Sequence, residues 1–206
     1  ELFYPVPHGL AYELKLLATN LLAALPSLPP ERLQEQDAFW QKLEAEELAP
    51  LKARAAQRTR GEPQHTCTRE WVASYYSRAC DHWGVLLQIN GQLDKAEHFY
   101  EEALEMNWDN PCAFVNLEWV RNWKKTHELL TRFSDDAMRE LGPYAGNWDL
   151  LLSVNGPLDE PTFRLEYSQV LARNGLHRQA AQEVLRSIAI KPSQLRAFLT
   201  LGNIYV

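Results

Sequence analysis

Ala79–Trp108 reads ACDHWGVLLQINGQLDKAEHFYEEALEMNW, and this stretch decides the fold class. Trp83-Gly84 sits in a helical run, and Gly91 follows seven residues after Gly84. Asn90-Gly91 fits a helix stop, because glycine takes a positive φ there without the penalty a Cβ imposes. Beyond the stop, Ala96 and Ala103 flank Phe99 at helical spacing. The expectation is a helix, a tight turn and a return helix. The pattern comes back at Tyr167-Ser168, Gly175, Ala180, Val184 and Ser187, and starts once more with Phe198-Leu-Thr-Leu-Gly202. Each hairpin is too small to bury its own apolar face, so such units stack, and stacked hairpins make a binding surface.

Composition fits that reading. The chain has 206 residues, 46% apolar and 23% charged, enough for one or two ordinary cores. Nine glycines against seven tryptophans favour helices over turn-rich sheets. The net charge of −6, with no basic stripe, argues against nucleic acid as partner. The three cysteines, Cys67, Cys80 and Cys112, have no metal-ligand spacing, and their odd number opposes a complete disulfide framework. No run of 18 apolar residues exists to span a membrane. The chain opens at Glu1 without an initiator Met and stops at Val206 inside a helical pattern. It reads as a piece of a longer protein.

Residues 1–11 read as extended, with Pro5, Pro7 and Gly9 steering the backbone away from helix. From Tyr12 to Leu25 the spacing of Leu14, Leu17, Leu21, Leu22 and Leu25 predicts a helix. Glu31–Arg60 reads as a long helix that Pro50 kinks or splits. Arg69–Ile89 follows, with Trp71, Val72, Tyr75, Tyr76, Ala79, Trp83 and Leu86 expected on its buried side. Pro111 to about Trp123 starts another helix, Lys124–Leu141 is an irregular one, and Gly142–Gly156 reads as a linker holding a short apolar run. Asp159 is the expected N-cap ahead of Pro161. Pro161–Asn174 and His177–Ile190 form a second hairpin, and Leu195–Val206 opens a third.

The Trp83-Gly84, Gly91, Ala96, Phe99, Ala103 pattern resembles the tetratricopeptide repeat, a helix–turn–helix unit of 34 residues. Trp108 stands where the family closes on proline, and Leu87 where it carries tyrosine. The unit from Pro161 keeps Gly175, Ala180 and the closing Pro192, with Ser187 at the last small position. The partial unit from Leu195 matches through Phe198, Leu201, Gly202 and Tyr205. Gly91 and Gly175 are 84 residues apart, two periods of 34 plus 16. The middle repeat is therefore enlarged, and Glu118 stands at one of its small positions. The resemblance implies an all-α, right-handed superhelix. Repeats are expected at about 77–110, 111–160 (enlarged), 161–194 and 195–206 within a region spanning 66–206. Residues 1–65 would form an extended segment and capping helices. Pro7-His-Gly-Leu10 and Asp37-Ala-Phe-Trp40, joined to such repeats, faintly resemble the soluble C-terminal tail of bacterial multi-pass membrane proteins of the O-mannosyltransferase-like type. That second resemblance implies an extracytoplasmic location; without it the cytoplasm is expected.

Motifs for chemistry are sparse. His127-Glu-Leu-Leu-Thr131 lacks the second histidine a zinc hydrolase helix needs. There is no GxGxxG and no GxxxxGK[ST]. His65 and Cys67 lie two apart without an orienting third group. No catalytic residue, metal or cofactor is expected, and the chain is not expected to be an enzyme. The resemblance instead places the ligand on the concave face of the first helices. Its outward positions here are Arg78, Asp81, Val85 and Gln88, then Val115, Trp119 and Asn122, then Leu165 and Gln169, with Arg196, Leu199 and Asn203 at the end. Trp119 is the expected anchor. The expected function is a noncatalytic scaffold for a protein or peptide, with self-association through the last repeat as a further possibility. The alternative is an accessory domain that lends substrate contacts to a membrane glycosyltransferase.

Overall fold

Helices dominate the computed structural model of the chain, which describes residues 3–16, 27–55, 68–130, 132–144 and 146–205. Strands β1 (Phe3–His8) and β2 (Ala11–Leu16) come first. Helices α1 (Pro30–Leu43), α2 (Ala49–Ala55), α3 (Thr68–Ile89), α4 (Leu93–Met106) and α5 (Pro111–Thr126) follow. The last are α6 (Asp135–Leu141), α7 (Trp148–Asn155), α8 (Pro161–Arg173), α9 (His177–Ile190) and α10 (Leu195–Tyr205). The chain divides into two units: Val6–Glu13 with Leu28–Pro157, and Leu158–Val206 with Glu1–Pro5 and Leu14–Ser27. No helix among the described residues is long and apolar enough to cross a membrane.

In the first unit α3 and α4 form a hairpin. Gly91 takes φ +76, the Gly91 N–H donates to Gln88 O at 3.0 Å and the Gln92 N–H to Leu87 O at 2.9 Å. This pair of bonds satisfies carbonyls that the end of a helix leaves orphaned. The helices meet closely at Gly84, where a Cβ would stand 2.6 Å from Tyr100 Cε1. Across the same interface Ser77 Oγ donates to Ala103 O at 2.7 Å. Helix α1 lays Trp40 edge-on to Phe99, with ring centroids 5.4 Å apart.

In the second unit α8 and α9 repeat the turn. Gly175 takes φ +77, the Gly175 N–H donates to Ala172 O at 3.0 Å and the Leu176 N–H to Leu171 O at 2.9 Å. Ser187 Oγ donates to Pro161 O at 2.9 Å. Leu165, Val184 and Ala197 make the buried core, with Ile188, Leu201 and Ile204 packed against it.

Elsewhere the structure corrects the sequence reading. Tyr12 begins no helix: it lies in β2, paired with β1. Gly9 turns the hairpin at φ +63, the glycine-first arrangement of a two-residue loop. Pro5 and Pro7 are tolerated because alternate residues of a strand turn their backbone groups to the same edge, and β1 pairs on one edge only. Leu17, Leu21, Leu22 and Leu25 lie outside the described residues, as do His65 and Cys67. The long helix over 31–60 is α1, a π turn over Glu44–Leu48, and α2. Pro50 donates no bond and crowds the carbonyl four residues back, and the wider turn makes that room. Trp71, Val72 and Tyr75 are exposed rather than buried; α3 buries Ala73, Ser77 and Cys80 instead.

The enlarged middle segment is better ordered than expected. Helix α5 starts on an Asn110 cap and ends at His127, which takes φ +55 and donates its N–H to Trp123 O at 2.9 Å. Lys124–Leu141 is thus not one helix. Glu118, the charged residue at a small position, accepts the Ser134 N–H at 3.0 Å and bonds its hydroxyl, holding the N-cap of α6 in place. The apolar run in the expected linker is α7. The cap of α8 is Glu160, whose carboxylate accepts from Thr162 N at 2.7 Å and Phe163 N at 2.9 Å. Asp159 is instead buried and pairs with Arg164 and Arg186.

Candidate functional site

Gln36 and Trp40 lie one helical turn apart on α1 and face the same way. The Gln36 amide grips the backbone of Gly9, donating from Nε2 to its carbonyl at 2.6 Å and accepting its N–H at 2.9 Å. Phe39 closes the fit, since a Cβ on Gly9 would stand 3.3 Å from its ring. Held this way, the hairpin tip presents Tyr12 to α3. Its hydroxyl lies 2.6 Å from His82 Nδ1, and the two rings are 4.7 Å apart. On α3 the spacing of Tyr75, Tyr76, Arg78, Ala79, His82 and Trp83 turns one side of the helix toward the same space.

Together these residues enclose a cavity of about 340 Å³. Trp40 and Trp83 line it and are 2% and 1% exposed, and neither indole N–H has an acceptor. An indole nitrogen only donates, and an unpaired buried donor costs about 1–3 kcal/mol. Two of them on one cavity wall therefore invite a ligand that accepts. Arg78 is exposed on the rim and forms no ion pair with a described residue. Burial, with help from the Arg78 charge, pushes the His82 imidazole down to about 4, so it is neutral near pH 7. Burial raises the Tyr12 phenol above its ordinary value, so it keeps its proton.

Of the residues expected to line a concave face, Arg78 alone reaches this cavity. Asp81, Val85, Gln88, Val115, Trp119 and Leu165 are buried side chains and lie beneath the surface. Asp81 Oδ1 accepts from Asn116 Nδ2 at 2.9 Å, and Asn116 also donates to Pro157 O at 2.9 Å. Asp81 Oδ2 has no hydrogen-bond partner and faces the backbone of Gly156, where a Cβ would overlap it. Burial pushes the Asp81 carboxyl well up, with the Asn116 bond opposing it. Gln88 accepts the Tyr100 hydroxyl at 2.8 Å. Trp119 is no open anchor; it stacks on Trp123 at 5.5 Å and 13°. Asn122 donates to Glu128 O at 2.6 Å, Leu165 lies in the core of the second unit, and Gln169 is half-buried. Arg196, Leu199 and Asn203 are exposed along α10.

Sequence reasoning missed Tyr12, Trp40 and His82 as site residues. Trp40 and Trp83 were readable as buried, but nothing in their spacing says that two distant tryptophans share one wall.

Other chemistry is poorly provided for. Glu44, His98 and Glu102 bring ligand atoms within 4.8 Å of one another. Lys52 already ion-pairs with Glu102, supplying the positive charge that a metal would bring. Burial pushes the Cys80 and Cys112 thiols well above the ordinary value, opposite to what a nucleophile needs. No protein-family model, curated protein or solved structure matches the chain, so the site rests on its own geometry.

Proposed function

We propose that the chain is a noncatalytic binding scaffold of the tetratricopeptide-like kind, its hairpins stacked as a right-handed superhelix. Its receptor for a protein or peptide partner is the aromatic cavity of the first unit. The observation that carries this reading is the pair of acceptorless indole donors, Trp40 and Trp83, on the wall of a cavity with aromatic sides. At about 340 Å³ the cavity is near the lower end of ligand pockets, roughly 300–1,000 Å³, and suits one large side chain or end group. Six of the twelve residues expected on an open groove are buried, which moves the ligand from that groove to the cavity.

The rival, an accessory domain contacting sugar, draws support from aromatic walls on which a sugar ring can stack. It is weakened by a lack of acceptors for sugar hydroxyls. The Gln36 amide is spent on Gly9, and no carboxylate lines the cavity.

A peptide array probed with the whole chain and with Trp83→Phe tests the proposal. That change keeps an aromatic body and removes the N–H. Peptides bound by the wild type are expected to weaken about tenfold, one charge-free hydrogen bond or a little more. Retention by Trp83→Phe together with loss in Leu199→Ala would move the receptor to the exposed face of α10.

A further inference from the structure

We propose that the cavity between the hairpin tip, α1 and α3 binds an aromatic monocarboxylate, its ring among the tyrosines and tryptophans and its carboxylate on Arg78 and the two indole N–H groups. The inference rests on the reading of this cavity as the receptor and adds the chemistry of its ligand.

The polar lining is one-sided. Trp40 and Trp83 can only donate, and the Arg78 guanidinium can only donate. A neutral His82 that accepts the Tyr12 hydroxyl at Nδ1 carries its own proton on Nε2, one more donor. The one amide in the lining, Gln36, uses both its ends on Gly9. The hydroxyls of Tyr75 and Tyr76 donate as readily as they accept. An ionised carboxylate is the complement of such a surface, because it accepts and does not donate. Hydroxylated ligands, which bring as many donors as acceptors, would leave their protons unpaired in a dry site.

Charge sets the number of negative groups at one. Arg78 is the single cationic side chain of the lining, and it forms no ion pair with a described residue. A carboxylate matches it with two parallel bonds. A phosphate dianion would bring a second charge with no cation to meet it, in a chain whose net charge is −6. Asp81, next to His82 in the chain, does not oppose the ligand strongly, since burial pushes its carboxyl toward the neutral form. Volume sets the body: the cavity accommodates a single aromatic group, and its tyrosine and tryptophan faces favour one.

Titration of the whole chain by calorimetry tests this. The probes are 3-phenylpropionate, its neutral amide 3-phenylpropanamide, and an acetylated tetrapeptide ending in phenylalanine with a free or amidated terminus. Each acid is expected to bind at least about tenfold tighter than its amide, and Arg78→Gln, a change at an exposed side chain, is expected to erase that difference. A tighter fit for the peptide acid assigns the carboxylate to a chain end, and a tighter fit for 3-phenylpropionate assigns it to a small molecule; both support the shared chemistry. Equal binding of acid and amide overturns the carboxylate inference and leaves the cavity a receptor for neutral groups. If no probe binds while circular dichroism matches the native helix content, the inference falls together with the receptor reading.

Discussion

In the hairpin of α3 and α4, position 81 is a buried aspartate; 84 residues on, in the hairpin of α8 and α9, the equivalent position is Leu165, at the centre of its unit's apolar core. The same shift relates Gly91 to Gly175, whose backbone angles agree within one degree and whose cap bonds run between equivalent atoms. It relates Gly84 and Tyr100 to Ser168 and Val184, a trade of size between facing positions. The turn and the volume define the hairpin. What the interior carries is free to differ. The first hairpin uses that freedom for polar groups (Asp81, Gln88, Asn110, Asn116), and the cavity lies beside it. The second keeps leucine in the interior and gathers its charges at Asp159, Arg164 and Arg186.

The two buried aspartates put this contrast to its strongest test. Burial pushes Asp159 up, and Arg164 and Arg186 more than reverse it, so its folded pKa is depressed. Its contribution is present above the unfolded pKa and is lost as pH falls through the folded one. Asp159→Asn is expected to cost about 4 kcal/mol near pH 7, because two arginines lose their partner, and the cost should shrink in acid. For Asp81 the folded pKa is raised. Stability is then lost as pH rises from the ordinary aspartate value toward the raised one. Asp81→Asn is expected to gain about 1–2 kcal/mol near pH 7 and nothing in acid. Urea unfolding between pH 3 and 8 reads both; responses of the same sign would erase the contrast.

The room for Asp81 comes from Gly156, which takes φ +109 and lies against its Oδ2. Gly156→Ala is expected to cost about 3 kcal/mol through strain and overlap combined. A thermal melt unchanged by this substitution would mean that the carboxyl has other space to occupy. The smallest effects should come from the turns. Gly91 and Gly175 both face open space with positive φ, so Gly91→Ala and Gly175→Ala carry only the backbone penalty, about 1 kcal/mol each. Unequal losses would show that the shared turn is not equally loaded in the two hairpins.

Both turns were legible in the sequence, because a glycine after a helix-length run is required where the backbone turns left-handed. The β-hairpin was not. Leu14 fits a three-and-four spacing with Leu17 and Leu21, yet Tyr12, Leu14 and Leu16 also alternate, and the alternation is what the backbone follows. Helix α7 was hidden because its eight residues are too few to declare a period, and the Asn147 cap, accepting from Leu150 N at 3.1 Å, decides it. Half of the expected groove failed for one reason. A repeat pattern says which helix face points out of a hairpin, but not that Asn116 and Gly156 come to cover Asp81. The cavity was beyond reach for the opposite reason, since a single amide clamp, Gln36 on Gly9, brings its walls together.

The serine bonds bear on ancestry. At one level of the hairpin Ser77 on α3 reaches across to Ala103 O; at the same level of the other, Ser187 on α9 reaches across to Pro161 O. Even the third partner is kept, with the Asn110 amide on Ser77 and the Gln194 amide on Ser187, each at 3.0 Å. The hydroxyl has changed strands of descent while the bond has stayed where it was. Column-by-column alignment would score both positions as mismatches and overlook an inherited contact. A duplicated fold can thus preserve its joints after its letters have parted, and kinship between such halves is better sought in pairs of positions than in single ones.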